Sequence, residues 1–321
     1  MNGQQRAVVT VTLNPSLDRT LGVDELIPGE VNRASQVWLD AGGKGINVSR
    51  GLNQHGIPTV AVFPVGGADG RTLIAELADF ALPVHPVQID GATRSNVTLV
   101  DAKGSTTKIN EPGPQLSEAE LDAILDAVKS ELPTAAWVVV AGSLPEGVPE
   151  AFLTRLAALA AGRGASYALD TSGAPLKAAV AAGGLAVVKP NTEELAELVG
   201  RELTTVGDVE AAAREVLSAG NEAVLVSLGS HGALLVTVAG MWWAGGDPLV
   251  PLSTVGAGDA TLSGWLAADG APSPERLRTA VAWGRAAVLL PGTEMPRPEH
   301  IDQAAVRMVA DPDPSLTLKE L

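Results

Sequence analysis

Two glycines and an aspartate close the segment Thr254-Val-Gly-Ala-Gly-Asp259. A short apolar run (Leu249, Val250, Leu252) leads into it, and residues 260–268 read as a helix. Gly256 and Gly258 let the backbone turn so that its N–H groups converge. The helix start adds unpaired N–H groups and the positive end of a dipole. Such a place holds an anion. Asp259 sits where that field is strongest and stays ionised there, which suits a base beside a phosphoryl group in transfer. Taken alone, the segment is read more simply as a glycine turn with a stabilising Asp cap. It is not a dinucleotide fingerprint, because Thr261 stands where Gly or Ala is required. Nor is there a Walker A loop: Lys44 lies between Gly43 and Gly45, with no Ser or Thr after it.

A second glycine segment, Asp40-Ala-Gly-Gly-Lys-Gly-Ile-Asn47, joins a strand to a helix. Its glycines permit close approach of a ligand, and Asn47 can donate to and accept from hydroxyls. The plainer alternative is a structural turn with Asn47 on a helix surface. Lys44, Arg94, Lys108 and Lys189 lie in or beside such turns, and Arg33 follows another. The net charge is −15, so an acidic chain that binds a polyanion must gather cations locally. The same charge argues against nucleic acid as the main partner. The chain has no cysteine, hence no disulfide or thiol nucleophile. His55, His85, His231 and His300 lack metal-ligand spacing. The first residues lack a signal-peptide core and no apolar run is long enough for a bilayer, so a cytoplasmic protein without membrane contact is expected.

These residues need a scaffold. Apolar runs alternate with amphipathic segments along most of the 321 residues. Residues 7–13 read as a strand, 44–55 as a helix and 59–63 as a strand. Residues 117–132 are the clearest helix: Ser117 and Glu120 have capping-box spacing, and Leu121, Ile124, Leu125, Val128 and Leu132 share a face. Residues 137–141 are a buried strand, Pro149 opens the next helix, and 167–170, 185–189 and 223–228 are further strands. The alternation predicts a parallel sheet covered on both faces. Ligands then sit at the carboxyl ends of the strands, where Asn14, Asp170, Asn191, Gly229 and the 254–259 loop fall. Residues of about 15–40 and 85–112 have strand-like pieces without helices and are read as a small projecting β-sheet, suited to cover the cleft or to mediate dimerisation. The tail after about residue 298 is expected to be a surface helix and then a loose end at 311–315. Trp242 and Trp243 fit a hairpin, and Trp137, Trp265 and Trp283 fit the core.

The glycine segment at 40–47, paired with 254–259 far downstream, resembles the PfkB carbohydrate kinase family. The resemblance runs from Thr12-Leu-Asn-Pro15 to about Thr293. Thr12-Leu-Asn-Pro-Ser-Leu-Asp-Arg-Thr20, Thr107-Lys-Ile-Asn-Glu-Pro-Gly-Pro114, Ala141-Gly-Ser-Leu-Pro145, Asp170-Thr-Ser-Gly173, Lys189-Pro-Asn-Thr-Glu-Glu-Leu195 and Val226-Ser-Leu-Gly229 are similar to its 1-phosphofructokinase and tagatose-6-phosphate kinase branch. Ser253 fits that branch, whereas many sugar and nucleoside kinases carry Asp there. Lys108 departs from it, since relatives often have an acidic residue in this lid segment.

The resemblance implies a ribokinase-like three-layer α/β/α sandwich, forming a single domain with a small β-sheet lid. It implies an ATP- and Mg²⁺-dependent kinase of a ketohexose phosphate. Fructose 1-phosphate leads; tagatose 6-phosphate, fructose 6-phosphate and a silent sugar-phosphate-binding regulator are the alternatives. Asp259 would be the base, with the N–H groups of Gly256, Ala257 and Gly258 on the transferring phosphoryl. Asp18, Gly43 and Asn47 would meet sugar hydroxyls, although Asp18 also suits a turn cap. Arg94 would clamp the sugar's phosphate through its planar fork, with Lys44, Arg33 and Ser143 as further candidates; an exposed edge-strand arginine is its plain alternative. Lys189 would meet ATP phosphates, and Thr254, Ser227, Gly229 and the loop through Gly232 would shape the nucleotide side. Asn191 and Glu194 would organise Mg²⁺ through water, or form a capping box, or both. A homodimer through the small sheet is implied as well.

Overall fold

Runs such as Val8–Val11 and Val138–Ala141 are apolar on every residue but one, as a strand buried between two helix layers requires. The computed structural model describes residues 6–321. Its first part comprises β1 (Ala7–Val11), β2 (Ser16–Gly22), β3 (Gln36–Gly42), α1 (Lys44–Gln54), β4 (Thr59–Val65), α2 (Gly67–Ala78), β5 (Val84–Gln88), β6 (Arg94–Val100) and β7 (Thr106–Asn110). Then come α3 (Glu118–Glu131), β8 (Ala135–Ala141), α4 (Ala151–Ala161), β9 (Ser166–Asp170), α5 (Gly173–Ala182), β10 (Val187–Val188), α6 (Thr192–Val199), α7 (Val206–Ser218) and β11 (Ala223–Ser227). The chain ends with β12 (Ala233–Thr237), β13 (Gly240–Gly245), α8 (Ala257–Ala267), α9 (Ser273–Ala287) and β14 (Arg307–Ala310).

The large sheet has the order β14-β13-β12-β11-β10-β9-β8-β1-β4-β5. Strands β5 through β11 in that order are parallel; β12, β13 and β14 add an antiparallel edge. One face packs Ile124, Leu156, Leu176, Leu195 and Val209 from α3 to α7. The other packs Val48, Leu52, Leu262, Trp265 and Leu277 from α1, α8 and α9. The expected three-layer α/β/α sandwich is therefore present. The Ser117 capping box of α3 forms in both directions. Trp242 and Trp243 lie in the β12–β13 hairpin, and Trp137, Trp265 and Trp283 are buried.

The small sheet has the order β3-β2-β6-β7, two hairpins joined by parallel pairing of β2 with β6. Its register sets Asp18 opposite Asp40 on one side and Asn96 on the other, with Ser16 beside Gly42 and Arg94. Arg19 pairs with Asp69 of α2 at 2.7 Å and ties the sheet to the body.

Two expectations need correction. Residues 84–88, grouped with the small sheet by the lack of a following helix, instead pair with β4 at the edge of the large sheet. An edge tolerates Pro86, which has no N–H to give. The tail is not a surface helix: β14 adds to β13, and only a 3₁₀ turn forms at Pro298–His300. Nor are residues 311–315 loose, because Gly207 N donates to Pro314 O and, just beyond, Val206 N to Leu316 O, both at 2.9 Å. Leu316, Leu318 and Leu321 pack on the core beside them.

Candidate active site

Helix α8 begins at Gly256, whose φ of 81° is a left-handed conformation natural to glycine. No side chain caps this end, so the first-turn N–H groups keep no partner within the helix. A side chain on Gly256 would meet Met295 Cε at 3.0 Å. Asp259 lies in the first turn and is 6% exposed. Its Oδ2 accepts a 2.8 Å hydrogen bond from Asn47 Nδ2. The two glycine segments thus meet in one crevice. Burial, and then the nearby Asp170 carboxylate, push the Asp259 carboxyl up to about 6, against the opposing pull of Asn47, Lys44 and Lys189. A carboxylate so displaced is a competent proton acceptor near neutrality.

Helix α1 presents Asn47 because the chain can turn at Gly43, where φ is 134° and a Cβ would come within 2.7 Å of Thr12 Cγ2. Thr12 Oγ1 then accepts from Ile46 N at 3.1 Å and stitches the helix start to the end of β1. Lys44 Nζ donates to Asp170 Oδ1 at 2.8 Å, and Lys189 Nζ lies 2.7 Å from Asp170 Oδ2. Asp170, at the end of β9, is 1% exposed. Its burial opposes ionisation, but Lys189 and Lys44 outweigh that and hold its pKa below the usual range. Burial likewise opposes the charge on Lys44, and Asp170 more than restores it. Lys189 sits beside the helix start: a Cβ on Gly258 would be 3.3 Å from its Nζ. The start of α8, Lys189, Lys44, Asp170 and Asp259 are therefore gathered in one crevice.

A second polar group stands on the small sheet. Asp18 accepts from Ser16 Oγ at 2.7 Å and Asn96 Nδ2 at 2.9 Å. Burial raises its pKa against these bonds. Arg94 Nη1 donates to Glu111 O at 3.0 Å and Nη2 to Asn14 O at 3.2 Å, while its buried Nε has no partner. Asn14 Nδ2 also reaches Ser143 Oγ at 3.3 Å. Arg94, Asn14 and Ser143 therefore form one group where the small sheet meets the body. Arg33 is not brought there. It lies in the exposed turn of the β2–β3 hairpin, about 20 Å along the strands from Ser16 and Gly42.

At the end of β11, Ser227 N donates to Pro190 O at 3.0 Å, and Ser227 bridges to Asn191. Gly229 and Gly232, both at positive φ, bound a 3₁₀ turn after β11. Thr254 is exposed on the loop before α8. Asn191 Oδ1 accepts from Glu194 N at 2.7 Å, and Glu194 Oε2 accepts from Asn191 N at 2.9 Å. This capping box starts α6 and spends one oxygen of each side chain. Among the described residues no cluster of three His, Cys, Asp or Glu side chains is present to hold a metal. The donor set fits only an ion that keeps most of its waters. Asp170 and Asn14 have no role assignable from the sequence motifs alone. Their position directly after strands was the available signal; their partners come from distant segments.

An α/β/α sandwich with a projecting small sheet, and a buried carboxylate at a glycine-bedded helix start over two lysines, defines a ribokinase-like phosphotransferase with an alcohol acceptor. Residues 10–300 match the model of the pfkB family of carbohydrate kinases. The chain belongs to that family. It is 38% identical over 308 residues to the 1-phosphofructokinase of Xanthomonas campestris pv. campestris, covering 94% of this chain and 97% of that one. It is 38% identical over 292 residues to the ATP-dependent 6-phosphofructokinase isozyme 2 of Escherichia coli, covering 90% and 94%. The crystal structure of phosphofructokinase-2 from Escherichia coli in complex with potassium aligns with a TM-score of 0.88 at 36% identity, covering 92% and 96%. No helix of the described residues is long and apolar enough to cross a membrane.

Proposed function

We propose that the protein phosphorylates a ketohexose phosphate with ATP, converting fructose 1-phosphate to fructose 1,6-bisphosphate. The observation that carries this reading is the Asn47–Asp259 contact at the start of α8, which joins a hydroxyl-binding segment to an anion-binding one. Asp259 accepts the proton of the acceptor hydroxyl as its oxygen bonds to the γ-phosphorus and the bond to the ADP oxygen breaks. The amides of Gly256, Ala257 and Gly258 take up charge on the transferring group. The transition state is loose, so positioning outweighs proton removal.

Asp18, Gly43 and Asn47 orient the sugar, and Arg94, with Ser143 and Asn14 nearby, receives its phosphate; Lys44, held by Asp170, lies toward the transferring group instead. Lys189, with Thr254, Ser227, Gly229 and Gly232, faces ATP. Mg²⁺, held through water by Asn191 and Glu194, would offset phosphate charge when bound. The small sheet acts as a lid over the cleft, and Val37 and Ile109, exposed on one face of it, support a homodimer through that sheet.

The equal resemblance to a 6-phosphofructokinase keeps fructose 6-phosphate as the second reading. An ADP-release assay across fructose 1-phosphate, fructose 6-phosphate and tagatose 6-phosphate tests the proposal. Preferred turnover of fructose 1-phosphate is expected, and failure of all three would refute the class.

A further inference from the structure

Arg50 is 4% exposed and, among the described residues, has no ion pair within salt-bridge distance. A buried guanidinium left in that state is costly. Burial lowers its pKa, and the more distant Asp40 and Glu294 only partly offset this. Its surroundings explain its retention. One face of the guanidinium lies 4.2 Å over the Phe80 ring, a favourable contact for a cation. Its Nη1 points between Asn47 Oδ1 at 3.4 Å and Thr293 Oγ1 at 3.5 Å. Its Nε has no partner. Arg50 follows Asn47 by three positions on α1, so the two side chains share a face.

The chemistry of the amide makes this contact informative. Asn47 has an oxygen that only accepts and a nitrogen that only donates, on near-identical arms. The base needs the nitrogen: if the amide turned over, Oδ1 would face the Asp259 carboxylate and repel it. An arginine has donors only, so it accepts just one of the two orientations. We propose that Arg50 is a positioning residue that locks the Asn47 amide with Nδ2 toward Asp259. The second contact of Nη1 adds to this role. Thr293 belongs to the turn that packs under Gly256, where a Cβ would lie 3.8 Å from Thr293 Cα. One guanidinium therefore braces both the partner of the base and the floor of the anion loop.

This inference rests on the kinase reading and deepens it. The test compares R50K with R50Q. Both lose the planar stack on Phe80, so both lower thermal stability to a similar degree. They differ in one respect: lysine only donates, whereas glutamine also accepts and permits the turned amide. R50K should keep kcat for the preferred ketohexose phosphate within about threefold. R50Q should lose about 10- to 100-fold in kcat, as a misplaced catalytic group does, with the KM of the sugar phosphate within about twofold.

The acid limb of kcat should move up by up to about one pH unit in R50Q and stay in place in R50K, because a lost hydrogen bond to a carboxylate is of that size. The other charged groups facing Asp259, namely Asp170, Lys44 and Lys189, are the same in both variants. Two variants equal in kcat and in acid limb would overturn the inference. Should R50Q not fold, R50K against R50M in the same assay carries the same contrast, because methionine has no donor. A wild-type protein that turns over no ketohexose phosphate would count against the kinase reading itself, and is distinct from either variant result.

Discussion

Replacing Asp259 by asparagine should stabilise the free protein while removing its chemistry. The carboxyl is buried, and its pKa stands at about 6 against an ordinary 3.8. Each unit of displacement is about 1.36 kcal/mol, so holding this group ionised costs the fold roughly 3 kcal/mol. The direction follows from the raised value. Below about pH 4 the group is protonated both folded and unfolded, and the cost is absent. Between about pH 4 and 6 only the unfolded chain ionises freely, so the cost grows, and above pH 6 it is complete. D259N keeps an oxygen to accept from Asn47 Nδ2 and has no proton to lose. For a chain of 321 residues, a gain of about 3 kcal/mol raises Tm by about 4–5 °C. Thermal unfolding of wild type and D259N without ligands, at about pH 8, 6.5 and 4.5, reads this out. The gain should be largest at pH 8 and fall to about a third of that at pH 4.5. A D259N protein no more stable than wild type at pH 8, or a gain independent of pH, would refute the assignment of a strained buried carboxylate.

R94A should raise KM for the sugar phosphate by about 10- to 100-fold with kcat little changed, since a charge-assisted contact of 1.5–3 kcal/mol made equally in ground and transition states is lost; an unchanged KM in steady-state kinetics would remove Arg94 from the phosphate site. In the wild type, kcat should fall as pH drops through about 6, because Asp259 must be ionised to accept a proton; a flat profile down to pH 5 would contradict this. D170N should lower the acid limb, because the Asp170 charge raises the Asp259 pKa. It should also destabilise the fold by about 3 kcal/mol, by leaving two lysines short of their buried partner. An acid limb that moves upward in pH titration would show that Asp170 does not act on Asp259 in this way.

What was legible in the sequence was whatever depends on neighbours along the chain. The Ser117–Glu120 box announces α3 because cap and helix are adjacent. The Asn191–Glu194 spacing was ambiguous between a cap and a metal site, and the structure shows the cap made in full. Short apolar runs gave the parallel sheet. What was not legible depends on distant partners. Asp170 is an ordinary strand-end residue until Lys44 and Lys189 close on it from two other segments. Arg50 is one more helical arginine until α1 turns it onto Phe80 and Thr293. Strand β14 is short and mostly exposed, so its pattern carries no strand signal; it is made a strand by the free edge of β13. Arg33 has a suitable type beside a glycine turn, but the length of the hairpin carries it away from the cleft.

The account depends on Asp259 receiving the acceptor's proton beneath the amides of the α8 start. Its most direct test pairs two measurements on D259N: kcat with ATP and fructose 1-phosphate, and the calorimetric Kd of that sugar phosphate. A positioned general base contributes about 10²–10⁴ in rate, so kcat should fall by about that factor while Kd stays within about threefold. A kcat within tenfold of wild type, or a defect confined to binding, would contradict the role given to Asp259.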